Sequence, residues 1–275
     1  MKESGPHGPA MNEEIIKSSG NPRVKKIRKL MKSSAERNSA GLFPVEGIRM
    51  AREIPAELIR ELYFSESAVR EGLTAELADI YSAAGAAPVI LSDDIFRSIS
   101  DTKTPQGVLA LVRKVPYTFA DVIRSARPVI VLECLQDPGN MGTILRSLEA
   151  AGGGGLICDA ACTDIYSLKT IRATMGTLFR VPHITVEDLA GTVRDLKRNG
   201  YRIYAAHLSG EEYSTAVRYE EKSAFLIGNE GRGLTDETAA LADQLIKIPM
   251  EGSVESLNAA VAASLLLYEV KRQLR

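Results

Sequence analysis

Short apolar runs alternate with segments of helical period through the second half of the chain. Residues 128–135 (PVIVLECL) are almost continuously apolar, which is typical of a strand buried on both faces of a sheet. Strands and helices alternating in this way predict a parallel sheet covered by helices. Further strands are predicted at residues 156–159, 201–208, 224–227 and 244–248, and helices at residues 143–152, 167–182 (ending in a turn), 186–200 and 257–268.

The closing stretch, from Leu226 onward, places two polar loops at the ends of strands. The run 224–227 leads into the glycine-rich turn 228–233, and the run 244–248 is stopped by Pro249 before the loop 251–256. We expect these two strands to be neighbours. Because ligands of open α/β sheets bind in the crevice at strand ends, the pattern predicts a binding site formed by the two loops.

The first half of the chain predicts a smaller α/β unit. Residues 13–32 have helical spacing with a break near 20–22, and residues 48–58 predict a helix around an irregularity at Pro55. Residues 58–66 predict helix leading into strand. Further strands are predicted at 42–47, 87–92 and 106–114, and helices at 72–85 and 92–100. The predicted organisation is a disordered leader (1–12), an N-terminal α/β domain (13–116), a linker helix (117–127) and a C-terminal domain (128–275).

Charge is balanced overall but clustered locally. The net charge of the 275 residues is -1, so any contact with nucleic acid must come from a local cluster. The helix at 22–32 carries cations and no acidic residue. Its apolar positions repeat at helical spacing, so a solvated face would explain the cations, but six without a counter-charge favour a face for RNA phosphates. The six are Arg23, Lys25, Lys26, Arg28, Lys29 and Lys32.

The cysteines and histidines predict no metal site. The three cysteines are odd in number and lie in or near apolar strands, which favours a reducing, cytoplasmic setting without a structural disulfide. The spacing of Cys158 and Cys162 matches neither a zinc site nor a redox pair, and the three histidines are scattered. No signal peptide is evident, and the last apolar segment is too short to span a membrane.

The glycines at residues 152–155 predict a helix C-terminus and a return turn. They follow a helix and precede a strand, whereas a dinucleotide fingerprint needs strand, glycines and then helix. A nucleotide-dependent oxidoreductase is therefore disfavoured.

A motif of the form NxGxxxR follows the first strand of the C-terminal domain. We expect Gly139 and Gly142 to allow a tight turn and Asn140 to cap a helix beginning near Met141. Arg146 would then present a planar cation beside the sheet edge, or form a surface salt bridge with Glu149.

Three motifs in order carry a resemblance to a known family. NxGxxxR, then GNEGRGL, then IPMEGSVESLN before a small-residue helix are similar to those of the SpoU/TrmH family of the SPOUT superfamily, which are S-adenosylmethionine-dependent RNA ribose 2'-O-methyltransferases. The similarity spans residues 128–270. LFPVEG and PQGVLALV in the first half resemble an L30e-like RNA-binding domain. The resemblance implies an α/β fold with a mostly parallel sheet and a C-terminal trefoil knot, preceded by a small L30e-like domain.

The resemblance also implies roles for particular residues. Our hypothesis is that Arg146 holds the phosphate and hydroxyl in line while Glu230 or a water takes the proton, because guanidinium hardly ever loses one. Alternatively, Glu230 pairs with Arg232 or Arg146 as structural support. Arg172, with Lys169, is a further candidate for RNA or cofactor contact, or part of a solvated helix face. The implied cofactor-binding residues are Gly228, Ile248, Leu257, Asn229 and Met250, and the implied catalytic residues are Arg146, Asn140, Glu230, Ser256 and Asn258.

The function implied is S-adenosylmethionine-dependent 2'-O-methylation of a ribose in rRNA, with 23S rRNA favoured by the N-terminal domain. A tRNA methyltransferase and a non-catalytic RNA-binding relative are the alternatives. The resemblance further implies a cytoplasmic homodimer with its active site at the interface, acting without metal or membrane.

Overall fold

The computed structural model describes residues 15–83, 85–251, 253 and 256–275. The chain divides into two compact units, the first ending at Lys114 and the second beginning at Val115. The leader predicted for residues 1–12 lies outside the described residues.

The first unit packs helices on a four-stranded sheet of order β1-β4-β2-β3. The β1/β4 and β2/β4 pairs are antiparallel and the β2/β3 pair is parallel. The apolar face of the first helix, with Val24, Ile27 and Leu30, is buried in one core with sheet residues Leu109 and Leu111. Its elements are α1 (Pro22–Lys32), α2 (Ser34–Ala40), β1 (Leu42–Glu46), α3 (Ile48–Ala51), a 3-10 turn (Ala56–Leu58), β2 (Ile59–Ser65), α4 (Glu66–Arg70), α5 (Ala75–Ala83), β3 (Pro88–Leu91), α6 (Asp93–Ile99) and β4 (Val108–Arg113).

The first helix begins later than its hydrophobic spacing predicts. Asn21 caps it, its side chain accepting from the Arg23 N–H at 2.9 Å, and Pro22 occupies the first turn. Residues just before it are extended, since the Ile16 N–H donates to the Ile90 carbonyl at 2.9 Å. The helix predicted from residue 13 is therefore wrong over its described first part, because Asn-Pro starts a helix rather than interrupting one.

Two further expectations for the first unit are wrong. The helix expected at 48–58 is reduced to α3 and one 3-10 turn that follows Pro55, whose missing N–H cannot continue the ladder of hydrogen bonds. The helix expected from residue 58 is absent, because β2 begins at Ile59, whose side chain is buried.

The second unit is a six-stranded sheet of order β10-β8-β9-β5-β6-β7 in which every neighbouring pair is parallel. The mostly parallel sheet predicted from the strand–helix alternation is thus confirmed. Its elements are α7 (Phe119–Ile123), β5 (Val129–Leu132), α8 (Pro138–Ala151), β6 (Gly155–Asp159), α9 (Leu168–Thr174), a 3-10 turn (Thr177–Phe179), β7 (His183–Val186), α10 (Leu189–Arg198), β8 (Arg202–Glu212), β9 (Ser223–Ile227), α11 (Asp236–Ala239), β10 (Gln244–Lys247) and α12 (Ala259–Gln273).

The expected adjacency of the last two strands is wrong, because β8 lies between β9 and β10. Strand β8 also bulges. Its pairing with β10 passes from Ala205 opposite Leu245 to Glu211 opposite Ile246, so the intervening residues leave the ladder.

Helix α7 packs within the second unit. Its Val122 is fully buried in a core with Val129, Ile157 and Leu226, and the Tyr117 hydroxyl donates to the Phe179 carbonyl at 3.0 Å. The segment expected to serve as a linker thus contributes to the second core.

The glycine turn after α8 is confirmed. Gly152 ends the helix with a φ of 81°, the left-handed conformation usual at this position. A Cβ on Gly155 would lie 2.6 Å from the Pro182 carbonyl oxygen, so the return turn also needs space that only glycine leaves. Within the described residues, no helix is both long and apolar enough to cross a membrane.

Candidate active site

The loops after β5 and β9 meet at the point where the strand order reverses. From β5 the sheet continues to β6 on one side and to β9 on the other, which is the position where open α/β sheets bind ligands. The Glu133 N–H donates to the Ile227 carbonyl at 3.0 Å, and the Asn229 amide donates to the Cys134 carbonyl at 2.9 Å. These bonds fix the two loops against each other.

Helix α8 begins three residues earlier than expected, and its cap is Asp137. The Asp137 carboxylate accepts from the Asn140 N–H at 2.9 Å, with Pro138 in the first turn. Asn140 is therefore inside the helix, and the expectation that it caps α8 is wrong. Because the cap is supplied by Asp137, the Asn140 side chain can bind groups across the site.

Gly142 serves helix packing and not a turn. It lies within α8, and a Cβ there would stand 2.4 Å from the Ala173 Cβ and 2.8 Å from the Ala173 carbonyl carbon. The predicted tight turn at Gly142 is wrong. The glycine instead lets α8 approach α9 closely.

Three candidate catalytic residues are joined by hydrogen bonds. The Asn140 amide donates to Glu230 Oε1 at 3.0 Å, and the Asn258 amide donates to Asn140 Oδ1 at 2.8 Å. Asn258 also caps α12 by accepting from the Ala260 and Val261 N–H groups. We call Glu230, Asn140 and Asn258 the polar triad. One residue comes from each motif, and Asn140 in the middle is only 8% exposed.

Glu230 is held as an ionised carboxylate. Burial would raise its pKa, but hydrogen bonds from the Asp137 N–H (2.9 Å), the Asn140 amide and the Gln136 N–H (3.1 Å) outweigh burial and lower the pKa below its ordinary value of 4.5. A carboxylate bound by three donors is a weak base. Its described partners within the single chain are these donors, and neither Arg232 nor Arg146 of the same chain pairs with it among the described residues.

An open cavity of about 290 Å³ lies beside the polar triad. It is formed by the turn after β9, the end of β10, the start of α12 and the bulge of β8. Apolar side chains from separate elements supply most of its walls, as in ligand pockets generally. The predicted site residues that line it are Gly228, Asn229, Glu230, Ile248, Met250, Ser256 and Leu257, and Ala206, His207 and Leu208 of the bulge also line it.

Gly228 is required first by the turn itself. A Cβ at this position would lie 2.1 Å from the Gly233 carbonyl carbon, because the turn folds back until Asn229 and Gly233 exchange backbone hydrogen bonds of 3.0 and 2.9 Å. The Asn229 side chain closes the turn from within by accepting from the Gly231 and Arg232 N–H groups. Hydrogen bonds within the turn therefore define this wall of the cavity.

Arg146 lies apart from the cavity of its own chain. It is exposed on α8 and is not among the cavity-lining residues. Glu149, its expected surface partner, binds Arg180 instead at 2.5 Å. The predicted salt bridge between Arg146 and Glu149 is therefore wrong.

The two α9 candidates for RNA or cofactor contact differ in exposure. Arg172 is half-buried in the helix, whereas Lys169 is exposed and lies 3.8 Å from the Asp137 carboxylate. Lys169 thus adds positive charge beside the N-terminus of α8.

Glu133 is a buried carboxylate that the motifs did not identify. It accepts from the N–H and the hydroxyl of Thr235, both at 2.8 Å, and from the Thr238 hydroxyl. These hydrogen bonds hold the segment that follows the 228–233 turn against the end of β5. An acidic residue at the end of an apolar strand was the available signal, since buried carboxylates need partners.

The cations of α1 divide into two groups. Lys26 lies 2.6 Å from Glu61, and Arg28 donates to the Ser98 hydroxyl at 2.8 Å, so both are bound within the first unit. Lys29 is 3.6 Å from Glu36 but remains exposed. Arg23, Lys25 and Lys32 are exposed with no carboxylate partner among the described residues.

The cysteines are free thiols, and burial raises the pKa of Cys134 to about 11. The described part of the chain contains no cluster of three or more potential metal ligands.

Two family models match the sequence. Residues 127–268, just over half of the 275, match the SpoU rRNA Methylase family, and residues 21–110 match the MRM3-like substrate binding domain. The predicted small N-terminal α/β unit is thereby confirmed as a separate domain type.

One curated relative and two solved structures match nearly the whole chain. The 23S rRNA (guanosine(2553)-2'-O)-methyltransferase RlmP of Bacillus subtilis (strain 168) is 31% identical over 258 residues, covering 93% of this chain and 98% of that protein. An AdoMet-bound rRNA methyltransferase from Sinorhizobium meliloti has a TM-score of 0.81 at 30% identity, over 95% of this chain and 98% of that one. The AdoMet complex of the SpoU methyltransferase AviRb from Streptomyces viridochromogenes has a TM-score of 0.79 at 27% identity, over 92% and 98%. The chain therefore belongs to the SpoU rRNA methylase family.

Proposed function

We propose that this protein transfers a methyl group from S-adenosylmethionine to a ribose 2'-hydroxyl of rRNA. The observation that carries the proposal is the polar triad, in which hydrogen bonds join one residue from each of three separated motifs. Glu230 lines the apolar cavity, and Asn140 and Asn258 line the shallow cavity between α8 and α12. Membership of the SpoU rRNA methylase family and similarity to two AdoMet-bound structures support it.

The cavity fits the proposed cofactor. Ile248 and Leu257 offer an apolar slot suited to an adenine ring, and the turn at Gly228 and Asn229 lines its side. Met250 extends the apolar wall. When bound, S-adenosylmethionine supplies a methyl group already activated on a sulfonium.

The residues of the protein would mainly orient the hydroxyl that is methylated. Holding a nucleophile in line converts a bimolecular step into an effectively unimolecular one. We assign to Arg146 the binding of the neighbouring phosphate, and to Asn140, Asn258 and Ser256 the polar surroundings of the hydroxyl. Because Glu230 is bound by three donors and has a lowered pKa, we assign it the orientation of Asn140 and leave the proton to water.

For the RNA, we propose a large-subunit rRNA as substrate, with the first unit as the binding domain. The support is the match to a substrate-binding domain and the 23S rRNA specificity of the Bacillus subtilis relative. Arg23, Lys25 and Lys29 of α1 are the proposed phosphate contacts, because Lys26 and Arg28 are already bound. Arg172 of α9 is a further proposed RNA contact. A substrate of this kind, with three free cysteines, leads us to expect a cytoplasmic enzyme.

We further propose an isologous homodimer and a trefoil knot in the second unit. The face shared by α8 and α12 exposes Val261 (47%) and Tyr268 (49%) around a shallow cavity of about 470 Å³ that Thr143 and Ser264 also line. Exposed apolar side chains of this size favour contact with a second copy. Such a dimer would let Arg146 reach the cavity of the partner subunit. The knot rests on family membership.

Methyl transfer to 23S rRNA transcripts from labelled S-adenosylmethionine tests the function. Arg146→Ala should lower turnover by about 100-fold or more while leaving cofactor affinity unchanged, because the side chain orients only the RNA. Arg194→Ala, an equal charge change on exposed α10, is the control and should keep full activity. Mapping of the methylated position would then identify the nucleotide.

Failure of the wild-type protein to bind S-adenosylmethionine by titration calorimetry would refute the proposed function and favour a non-catalytic RNA-binding protein. Methylation of tRNA transcripts but not of rRNA would refute the proposed substrate.

A further inference from the structure

Two cations at the edge of the cofactor cavity have no role in the site described above. Arg232 lies at the tip of the turn after β9, and Lys247 ends β10, so each belongs to a different wall of the cavity. Both are exposed. We call this pair the basic rim.

The basic rim lacks carboxylate partners among the described residues. Glu230, two positions from Arg232, directs its carboxylate to Gln136, Asp137 and Asn140. Glu212, opposite Lys247 in the sheet, accepts from the Ser214 hydroxyl at 3.2 Å. Neither cation therefore forms an ion pair among the described residues, and two unpaired cations beside one cavity favour an anionic ligand.

Hydrogen bonds of the Asn229 side chain hold the backbone under Arg232. The Asn229 carboxamide oxygen accepts from the N–H groups of Gly231 (2.9 Å) and Arg232 (3.2 Å), and Asn229 itself is bound to the Cys134 carbonyl. A fixed backbone reduces the entropy lost when the side chain binds a ligand. The turn therefore presents the guanidinium from a defined position next to the polar triad.

The anionic ligand of the basic rim could be the cofactor or the RNA, and their net charges decide between them. The cofactor carries a sulfonium and an ammonium against one carboxylate, so its net charge is positive and a pair of cations would repel it as a whole. An RNA backbone carries one negative charge per phosphate, and the planar guanidinium binds phosphate through two parallel hydrogen bonds.

We propose that Arg232 and Lys247 bind backbone phosphates of the RNA that flank the target nucleotide, from the cofactor side of the site. The inference rests on the proposed function and adds a phosphate contact distinct from Arg146. It predicts that the RNA strand passes over the cavity mouth and covers the bound cofactor.

Matched neutral variants test the basic rim: Arg232→Gln, Lys247→Gln, the double variant and Arg194→Gln as the control. The probes are fluorescent fragments of a 23S rRNA transcript, with affinity measured by anisotropy over a range of KCl concentrations. Arg232→Gln should raise the Kd for RNA about tenfold. The dependence of log affinity on log salt should fall by about 0.7–0.9 for each cation removed. Calorimetry should give an unchanged Kd for S-adenosylmethionine.

Equal weakening of cofactor and RNA binding would overturn the proposal by assigning Arg232 to the cofactor. An RNA affinity and salt dependence equal to those of Arg194→Gln would overturn it by leaving both cations to solvent. Loss of methylation by the wild-type protein would instead refute the proposed function, because RNA affinity is measured here without turnover.

Discussion

At the scale of single residues, Glu230 shows how partners decide a role that a motif leaves open. A glutamate beside a cofactor turn can be a general base or a structural group. Here both oxygens accept from the start of α8, through the N–H groups of Gln136 and Asp137 and the amide of Asn140. Hydrogen bonds to the charged form stabilise it and weaken it as a base.

Glu230→Gln should lower kcat without altering the shape of the pH profile. The glutamine keeps the volume, but its NH2 group must face either the Gln136 N–H or the two donors of Asp137 and Asn140. The turn that orients Asn140 therefore loses at least one hydrogen bond, and we expect a loss of about 10- to 100-fold. The measurement is kcat against pH from 5.5 to 9 for both proteins.

The sign of the pH effect follows from the lowered pKa. A carboxyl group with a pKa depressed in the folded protein contributes stability above its unfolded value and loses it as the pH falls through the folded pKa, here below 4.5. Neither stability nor rate should therefore change through Glu230 above pH 5.5. An acidic limb near neutral pH that disappears in Glu230→Gln would identify the glutamate as the base.

At the scale of elements, helix α8 carries the site because it is fixed at both faces. Asp137 caps it, Gly142 packs on α9, and Ser147 shares a 2.7 Å hydrogen bond with Ser264 of α12. The position of Asn140 in the first turn follows from these contacts. A small change in helix packing therefore reaches the polar triad.

Gly142→Ala should destabilise the second unit by about 1–3 kcal/mol. Alanine has the higher helix propensity, but its Cβ would lie 2.4 Å from the Ala173 Cβ and 2.8 Å from backbone that cannot rotate away. Thermal unfolding measures the loss. Gly231→Ala is the control, since its Cβ would meet only Asn229 Oδ1 at 3.6 Å. A Gly142→Ala protein as stable as the control would show that α8 and α9 are free to separate.

Strand signals predicted the sheet better than helix signals predicted the helices. β5, β6 and β9 are buried on both faces and read as apolar runs. The missed strand, β7, is an edge strand with two half-buried residues and one exposed threonine, so its pattern has no clear period. The late start of α1 depends on Asn21 and Pro22, which cap the helix at a point where hydrophobic spacing predicts only a break.

At the scale of the whole molecule, the exposed apolar face of α12 suggests a test of the proposed dimer, on which activity should depend. Val261→Glu should turn a dimer into a monomer and abolish activity in parallel, because a charge replaces an apolar side chain that is 47% exposed in the single chain. Multi-angle light scattering at micromolar concentration gives the mass. Leu73→Glu, at 48% exposure in the first unit, is the matched control and should remain dimeric. A wild-type monomer with full activity would contradict the dimer.

The sequence alone determined the fold class and the residue types of the site. Alternating buried strands and helices require a parallel sheet, because apolar runs must be covered on both faces, and the motifs named Asn140, Glu230 and Asn258. It also predicted Gly228, Ile248 and Leu257 as cavity residues, and all three line the cavity.

Only the tertiary structure decided which of these residues contact one another. Asn140 and Asn258 are joined across 118 positions, and Glu230 is bound to a helix start 93 positions earlier. Strand order is set by which faces pack together, so periodicity gave no sign that β8 separates β9 from β10 or that its bulge forms a cavity wall. The spacing of apolar residues along the chain determines where helices and strands form. Hydrogen-bond partners at the sheet edge depend on how all the helices and strands pack together.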